Sequence, residues 1–253
     1  MSRGFQALFI AAILVASTAM FALAESRKLD RPPIRALVLG AGPAVEGHPR
    51  PAVFSPTCDC PTSFARIEFR LGKPGPLRAW IVSPTGTVVK RIADLANVRR
   101  VALRWDGRTD SGDVAPDGSY RLRLQVAGAL RTLPVFVVVD TVPPRFTATL
   151  SRRRLVPLGY TVDDKTLVRW SSPVQLFGIH LIARLGDTTQ TVQVHRHSRA
   201  GSVDWPRTAC SAGKCHRIKA VRGDWTLRLV ADDQAGNRAS VALGTVQVAA
   251  SQR

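Results

Sequence analysis

The chain has 253 residues, room for two domains of roughly 100 residues each with ordinary cores. Aromatics make up only 6% of it, while Val, Leu, Ala, Gly and Pro are plentiful, a mix that favours short strands and tight turns and speaks against a helical fold. The formal net charge of +18 suits polyanions of every kind, nucleic acid, wall polymer and anionic lipid alike; since Arg far outnumbers Lys among abundant Ala, Gly and Val, as in GC-rich genomes, the charge alone names no ligand.

Residues 4–24 hold an uncharged apolar run, Phe5 to Ala24, behind Arg3, and it ends in Ala22-Leu23-Ala24, the small-x-small pattern at which secretory signals are cut. Export is therefore expected. The run predicts a hydrophobic signal helix or, since about 20 residues also span a bilayer, an anchor helix that holds the chain at the outer face of the cytoplasmic membrane. Only Arg3 precedes it while Arg27, Lys28, Arg31 and Arg35 follow, a distribution that favours cleavage over anchoring. Membrane contact is expected only through this segment.

Residues 25–52 read as a basic stalk, with Pro32, Pro33, Pro43, Pro49 and Pro51 among charges and glycines and only Ile34 to Gly42 apolar enough to order. Folded structure is expected from Val53. Strands are predicted at Ala65 to Leu71, Leu77 to Ser83, Thr87 to Ile92, Val101 to Trp105, Tyr120 to Val126 and Leu133 to Asp140, with Pro84-Thr85-Gly86 as a hairpin turn. In "YRLRLQV" the apolar Tyr120, Leu122, Leu124 and Val126 alternate with Arg121, Arg123 and Gln125, so one face covers a core and the register is fixed. Short strands at this density predict a β-sandwich over residues 53–141.

"TVPPR", Thr141 to Arg145, interrupts the ladder and marks a boundary. Residues 142–249 then repeat the pattern. Trp205 in "SVDW" stands as Trp105 does in "ALRW", and "GDWTLRLVA" parallels "GSYRLRLQV". The spacing from Trp205 to Trp225 is longer than from Trp105 to Tyr120, and the surplus includes "CSAGKC". A turn at Ala235-Gly236-Asn237 leads into the last strand. The predicted fold is all-β: two tandem Ig-like sandwiches behind the leader and stalk.

Chemistry-bearing residues are few. Asp106, Asp110, Asp113 and Asp117 sit in one polar excursion with Gly107, Gly112 and Gly118; oxygen-rich loops bind calcium, but the helix-loop-helix pattern with its terminal glutamate is missing, and Asp-Gly and Pro-Asp-Gly are turn formers. Cys210 and Cys215 flank a short loop that closes readily into a disulfide. Cys58 and Cys60 in "CDC" form a tight ring if bridged, which leaves a metal site or a cross-domain pairing open beside a bridge. His195 and His197 share one strand face with no third ligand identifiable. No phosphate loop or nucleophile elbow occurs, so neither enzyme activity, cofactor nor small-molecule substrate is expected. Arg152, Arg153 and Arg154 are the one dense basic cluster, candidates for contact with a polyanion.

Trp105-Asp106-Gly107, Gly112, Pro116-Asp117-Gly118 and Tyr120 together resemble the Ig-like domain of the flagellar hook-capping protein type, and "VFSPTCDCPT" looks like the first strand of such domains in exported multidomain proteins. The second copy keeps Trp205 and Gly223-Asp224-Trp225 but lacks Asp-Gly after the tryptophan. The resemblance implies an architectural module without catalytic residues, with Trp105, Tyr120, Trp205 and Trp225 in the cores. An unknown protein or an anionic cell-envelope polymer is the expected partner.

Overall fold

The computed structural model describes residues 34–43, 52–156, 165–194, 197–206, 208–211, 214–217 and 221–249, without the side chains of 208–211 and 214–217. The expected leader at 1–24 and most of the expected stalk lie outside these residues. Among the described residues every regular element is a strand, and no helix is long and apolar enough to cross a membrane. The all-β expectation holds.

In the first domain β1 (Ile34–Ala41) and β2 (Val53–Phe54) precede two long strands, β3 (Ala65–Val82) and β4 (Val88–Trp105), followed by β5 (Gly118–Val126) and β6 (Ala129–Val139). The first half of β3 pairs with β1 and with the second half of β4; its second half pairs with β5 and with the first half of β4. Register slips between Arg70 and Leu77, around Gly72-Lys73-Pro74-Gly75, where a missing donor and absent side chains let a strand bend. The four strands predicted between Ala65 and Trp105 are thus the halves of two long ones. Ile67, Phe69 and Leu71 before the bend, and Leu77, Ala79 and Ile81 after it, keep the same parity and join one buried cluster with Val101, Trp105, Leu122 and Val137.

One expectation is corrected. Ile34–Ala41, placed in the stalk because prolines flank it, is the strand β1, with Ala41 buried and Leu37 and Leu39 packed on the core. Ordered structure therefore starts upstream of Val53. Adding this strand pairs the free edge of β3, a local gain the flanking prolines concealed.

The second domain follows the same path. β7 (Thr147–Leu150), β9 (Thr166–Leu176) and β12 (Ser198–Trp205) form one sheet; β8 (Arg154–Leu155), β10 (Ile179–Leu185), β11 (Thr188–Val194), β15 (Gly223–Asp232) and β16 (Arg238–Val248) form the other. β8 runs parallel to β16 just as β2 runs parallel to β6. Its own core spans both sheets, from Val168, Trp170 and Val203 to Leu181, Trp225 and Val246. The extra residues after Trp205 form the hairpin β13 (Thr208–Ser211) and β14 (Lys214–Arg217), inserted where the first domain carries the Asp106–Asp117 excursion. Each domain is a mostly antiparallel β structure around its own core, the first a single six-stranded sheet that bends near Gly72–Gly75 and the second two facing sheets.

Candidate functional site

The Asp-Gly excursion leaves the core at Trp105, whose ring is 1% exposed. Tyr120 meets it edge-on at 5.0 Å and Phe54 at 5.6 Å, and its Nε1–H donates to Arg108 O at 2.9 Å. Gly107 has φ +74°, and a Cβ there would lie 2.7 Å from Pro56 Cβ, so both the conformation and the close approach demand glycine. Bonds from Thr109 N to Asp113 O and from Ala115 N to Gly107 O, each 2.8 Å, make the excursion a small ladder with Gly112 near its tip. Gly118 opens β5, and the Tyr120 hydroxyl donates to Pro116 O, four residues upstream, at 2.5 Å. Burial, with the Asp117 charge adding to it, raises the Tyr120 pKa above its ordinary value. In the second domain Trp205 lies 5.3 Å from Trp225, whose Nε1–H donates to Val221 O, four residues upstream as in the first.

The loop carboxylates point to separate partners. Asp106 accepts from Arg108 N at 3.1 Å, Asp110 from Arg91 N at 3.2 Å, and Asp113 from Ser111 Oγ at 2.7 Å. Asp117 accepts from both N and Oγ1 of Thr141, at 2.8 and 2.9 Å, tying the loop to the start of the connector. Among the described residues no three His, Cys, Asp or Glu side chains gather as a metal site.

Beyond Trp105 the packing runs on into the domain junction. Gly107 rests on Phe54 and Pro56, and the segment after Pro56 closes as a Cys58–Cys60 disulfide with the Cα atoms 5.2 Å apart. The metal and cross-domain alternatives for this pair are thereby corrected: each sulfur is bonded to the other. Against this small ring sits the β15–β16 turn. Ser55 N donates to Ala235 O at 3.1 Å, Thr62 Oγ1 to the same oxygen at 3.3 Å, and Asn237 Nδ2 to Asp140 O at 2.8 Å. Ala235 is fully buried, and Gly236, at φ +94°, lies so close that a Cβ would stand 2.6 Å from Cys60 Sγ. The turn was legible in the sequence; its seating on the disulfide was not, because no local pattern marks a contact between positions so far apart. The small Ala-Gly pair was the available signal.

Asp233 braces the turn, accepting from Asn237 N at 2.9 Å and Asn237 Nδ2 at 3.0 Å. Burial raises its pKa above the usual carboxylate value of 3.8, with the Asn237 bonds pulling partly back. Just above that value the folded chain holds a proton that the unfolded chain has lost, so this group contributes stability that fades as pH rises through the window. Urea midpoints measured across it should fall with rising pH more steeply for the wild type than for Asp233→Asn.

A cavity of about 920 Å³ opens beside the junction, lined in part by Asp59, Phe177, His197, Asp232 and Arg238. Its Arg238 and Asp232 side chains are paired with each other at 2.7 and 3.1 Å, and His197 lies 4.6 Å from the Phe177 ring. His195 lies outside the described residues. The backbone of β13 and β14 sets Cys210 opposite Cys215; their side chains are outside the described set. The Arg152–Arg154 cluster belongs to the start of β8: Arg153 Nη1 donates to Leu243 O at 3.0 Å, and Arg154 pairs in the ladder with Gln247 while Leu155 enters the core.

No protein-family model matches the chain, and no curated protein does. Among solved structures it is similar to the fibronectin(III)-like modules of Clostridium thermocellum CbhA, at 11% identity and a TM-score of 0.38 over 81% of this chain and 93% of that one. It is similar too to a Ca2+-stabilized ice-binding adhesin of an Antarctic bacterium, at 13% identity and TM-score 0.39 over 85% of this chain, which spans about half, 49%, of the adhesin chain. The FN1–FN3 domains of chicken CNTN1 match at 11% identity and TM-score 0.35 over 81% of this chain and 69% of theirs.

Proposed function

We propose that the chain is an exported, non-enzymatic structural and interaction module of the cell envelope, two sandwiches docked end to end, the first of the flagellar hook-capping Ig-like type. The observation that carries this is the junction. Beside the disulfide-closed loop of the first domain, Ser55 N and Thr62 Oγ1 donate to Ala235 O of the second domain's turn, and Asn237 Nδ2 donates to Asp140 O at the end of β6, which suits a protein that holds a binding surface at a fixed distance and angle. The Asp106–Asp117 carboxylates are engaged within the domain, by Arg108 N, Arg91 N, the Ser111 hydroxyl and Thr141, which suits a loop that shapes the backbone. The leader-like run and the Cys58–Cys60 bridge agree on an oxidising compartment.

Fractionation of cells making the full chain tests the reading. The chain is expected in the envelope or medium, with Cys58 and Cys60 protected from alkylation until reduced. Recovery from the cytoplasm with both thiols open to alkylation would refute it.

A further inference from the structure

We propose that the outer face of the β1–β3–β4 layer of the first domain binds an anionic polysaccharide chain. On that face Arg66 stands opposite Arg104 and Arg70 opposite Arg100 across the β3–β4 pair, and Arg35 of β1 continues the second row beside Arg70. All alternate with core residues: Ile67, Phe69, Val101 and Trp105 point inward, so the arginines share one face, Arg70, Arg100 and Arg104 exposed on it and Arg66 largely covered. Glu68 is the one carboxylate between the rows, and it is taken by Arg66 at 3.4 Å. Among the described residues no carboxylate pairs with Arg35, Arg70, Arg100 or Arg104; the Arg104 guanidinium lies over the Phe64 ring at 3.7 Å.

Like charges directly opposite each other destabilise a strand pair, so such rows call for a compensating anion. Genome composition does not account for them, because the repeat supplies an internal control. The pairs Ala65↔Trp105 and Thr166↔Trp205 align the two copies. At the positions of Arg66, Arg70, Arg100 and Arg104 the second domain carries Leu167, Ser171, Ala200 and Asp204, the last bonded to Lys165 at 2.6 Å. At the position of Glu68 it carries Arg169, so the face that is strongly cationic in the first copy balances Arg169 against Asp204 in the second and has no net charge.

The rows are separated by four residues along the strand, roughly 13 Å at about 3.3 Å per residue. One compact anion does not reach both, whereas a polymer with repeated charges does. A membrane surface fits less well, since insertion needs a line of apolar side chains and Val38, 41% exposed, is the large apolar residue at this face. The choice of an envelope polysaccharide over nucleic acid rests on the exported reading above.

Binding of the purified full chain to dextran sulfate, with neutral dextran as control, tests the assignment. Arg70→Ser with Arg100→Ala should weaken binding about tenfold and flatten its dependence on salt, since each guanidinium lost releases fewer counterions. Arg35→Ser, in the same row on the edge strand, should weaken it independently. Arg121→Ser with Arg131→Ser removes the same charge from exposed positions of β5 and β6, outside the two rows, and should leave affinity within about threefold. Equal losses in both double variants would mean that only bulk charge matters, and no loss in the first would mean that the face is not used; either overturns the proposal. So would tighter, row-dependent binding to phosphatidylglycerol vesicles, which would assign the face to lipid. A cytoplasmic location would sink the envelope reading yet leave this binding result standing, so the two failures are separable.

Discussion

Replacing Trp105 with alanine should lower the unfolding free energy by about 3–5 kcal/mol, the range for removing a large aromatic from a packed core. The ring is 1% exposed, makes edge contacts with Phe54 and Tyr120, and spends its N–H on Arg108 O. Alanine leaves a cavity in the first domain's core and an unpaired carbonyl at the root of the excursion. The destabilisation should appear as a lower urea midpoint in the transition of the first domain, with the second largely unaffected. Asp113→Asn, by contrast, alters a carboxylate whose side-chain partner is the exposed Ser111 hydroxyl, and should stay within about 0.5 kcal/mol. A small effect at Trp105 together with a large one at Asp113 would reverse the roles given to core and loop.

The second large effect concerns the seam. Gly112 and Gly236 share φ +94°, but a Cβ at Gly112 meets open space while one at Gly236 meets Cys60 Sγ at 2.6 Å and Thr62 Oγ1 at 2.9 Å. Alanine at either position pays the left-handed backbone cost, about 1–2 kcal/mol. At Gly236 it must also displace the disulfide loop, for which overpacking adds about 1–3 kcal/mol. Gly236→Ala should therefore be clearly more destabilising than Gly112→Ala in the same denaturation assay, and the difference measures the junction. Equal losses would show that the turn is not tightly seated on the Cys58–Cys60 ring.

How much of this was legible in the chain depended on whether the signal was local. Tyr120, Leu122 and Leu124 alternate with arginines over one strand, so that face and its burial follow from pattern alone. The repeat was legible because Trp105 with Tyr120, and Trp205 with Trp225, bracket the same corner in both copies. β1 was hidden because proline on both sides imitates a linker, whereas its pairing depends on a strand more than twenty residues away. The passage of β3 through Gly72-Lys73-Pro74-Gly75 looked like a loop between strands for the same reason: the sequence shows a break in pattern and says nothing of the continued ladder with β4. The arginine rows lay deeper still. Arg66 and Arg70 alternate visibly with core residues, but only the register brings Arg104 and Arg100 opposite them, whereas the contiguous Arg152–Arg154 stand out in the sequence although their middle member caps a carbonyl of β16.

The Ala235-Gly236 turn seated beside the Cys58–Cys60 ring should hold the two domains as one body. The most direct measurement is a distance distribution between spin labels attached without cysteine at Thr85 and Asp187, exposed hairpin turns in the first and second domains. A docked pair predicts one narrow peak for the native chain, broadening in Gly236→Ala. A broad distribution in the native chain, unchanged by that substitution, would contradict it.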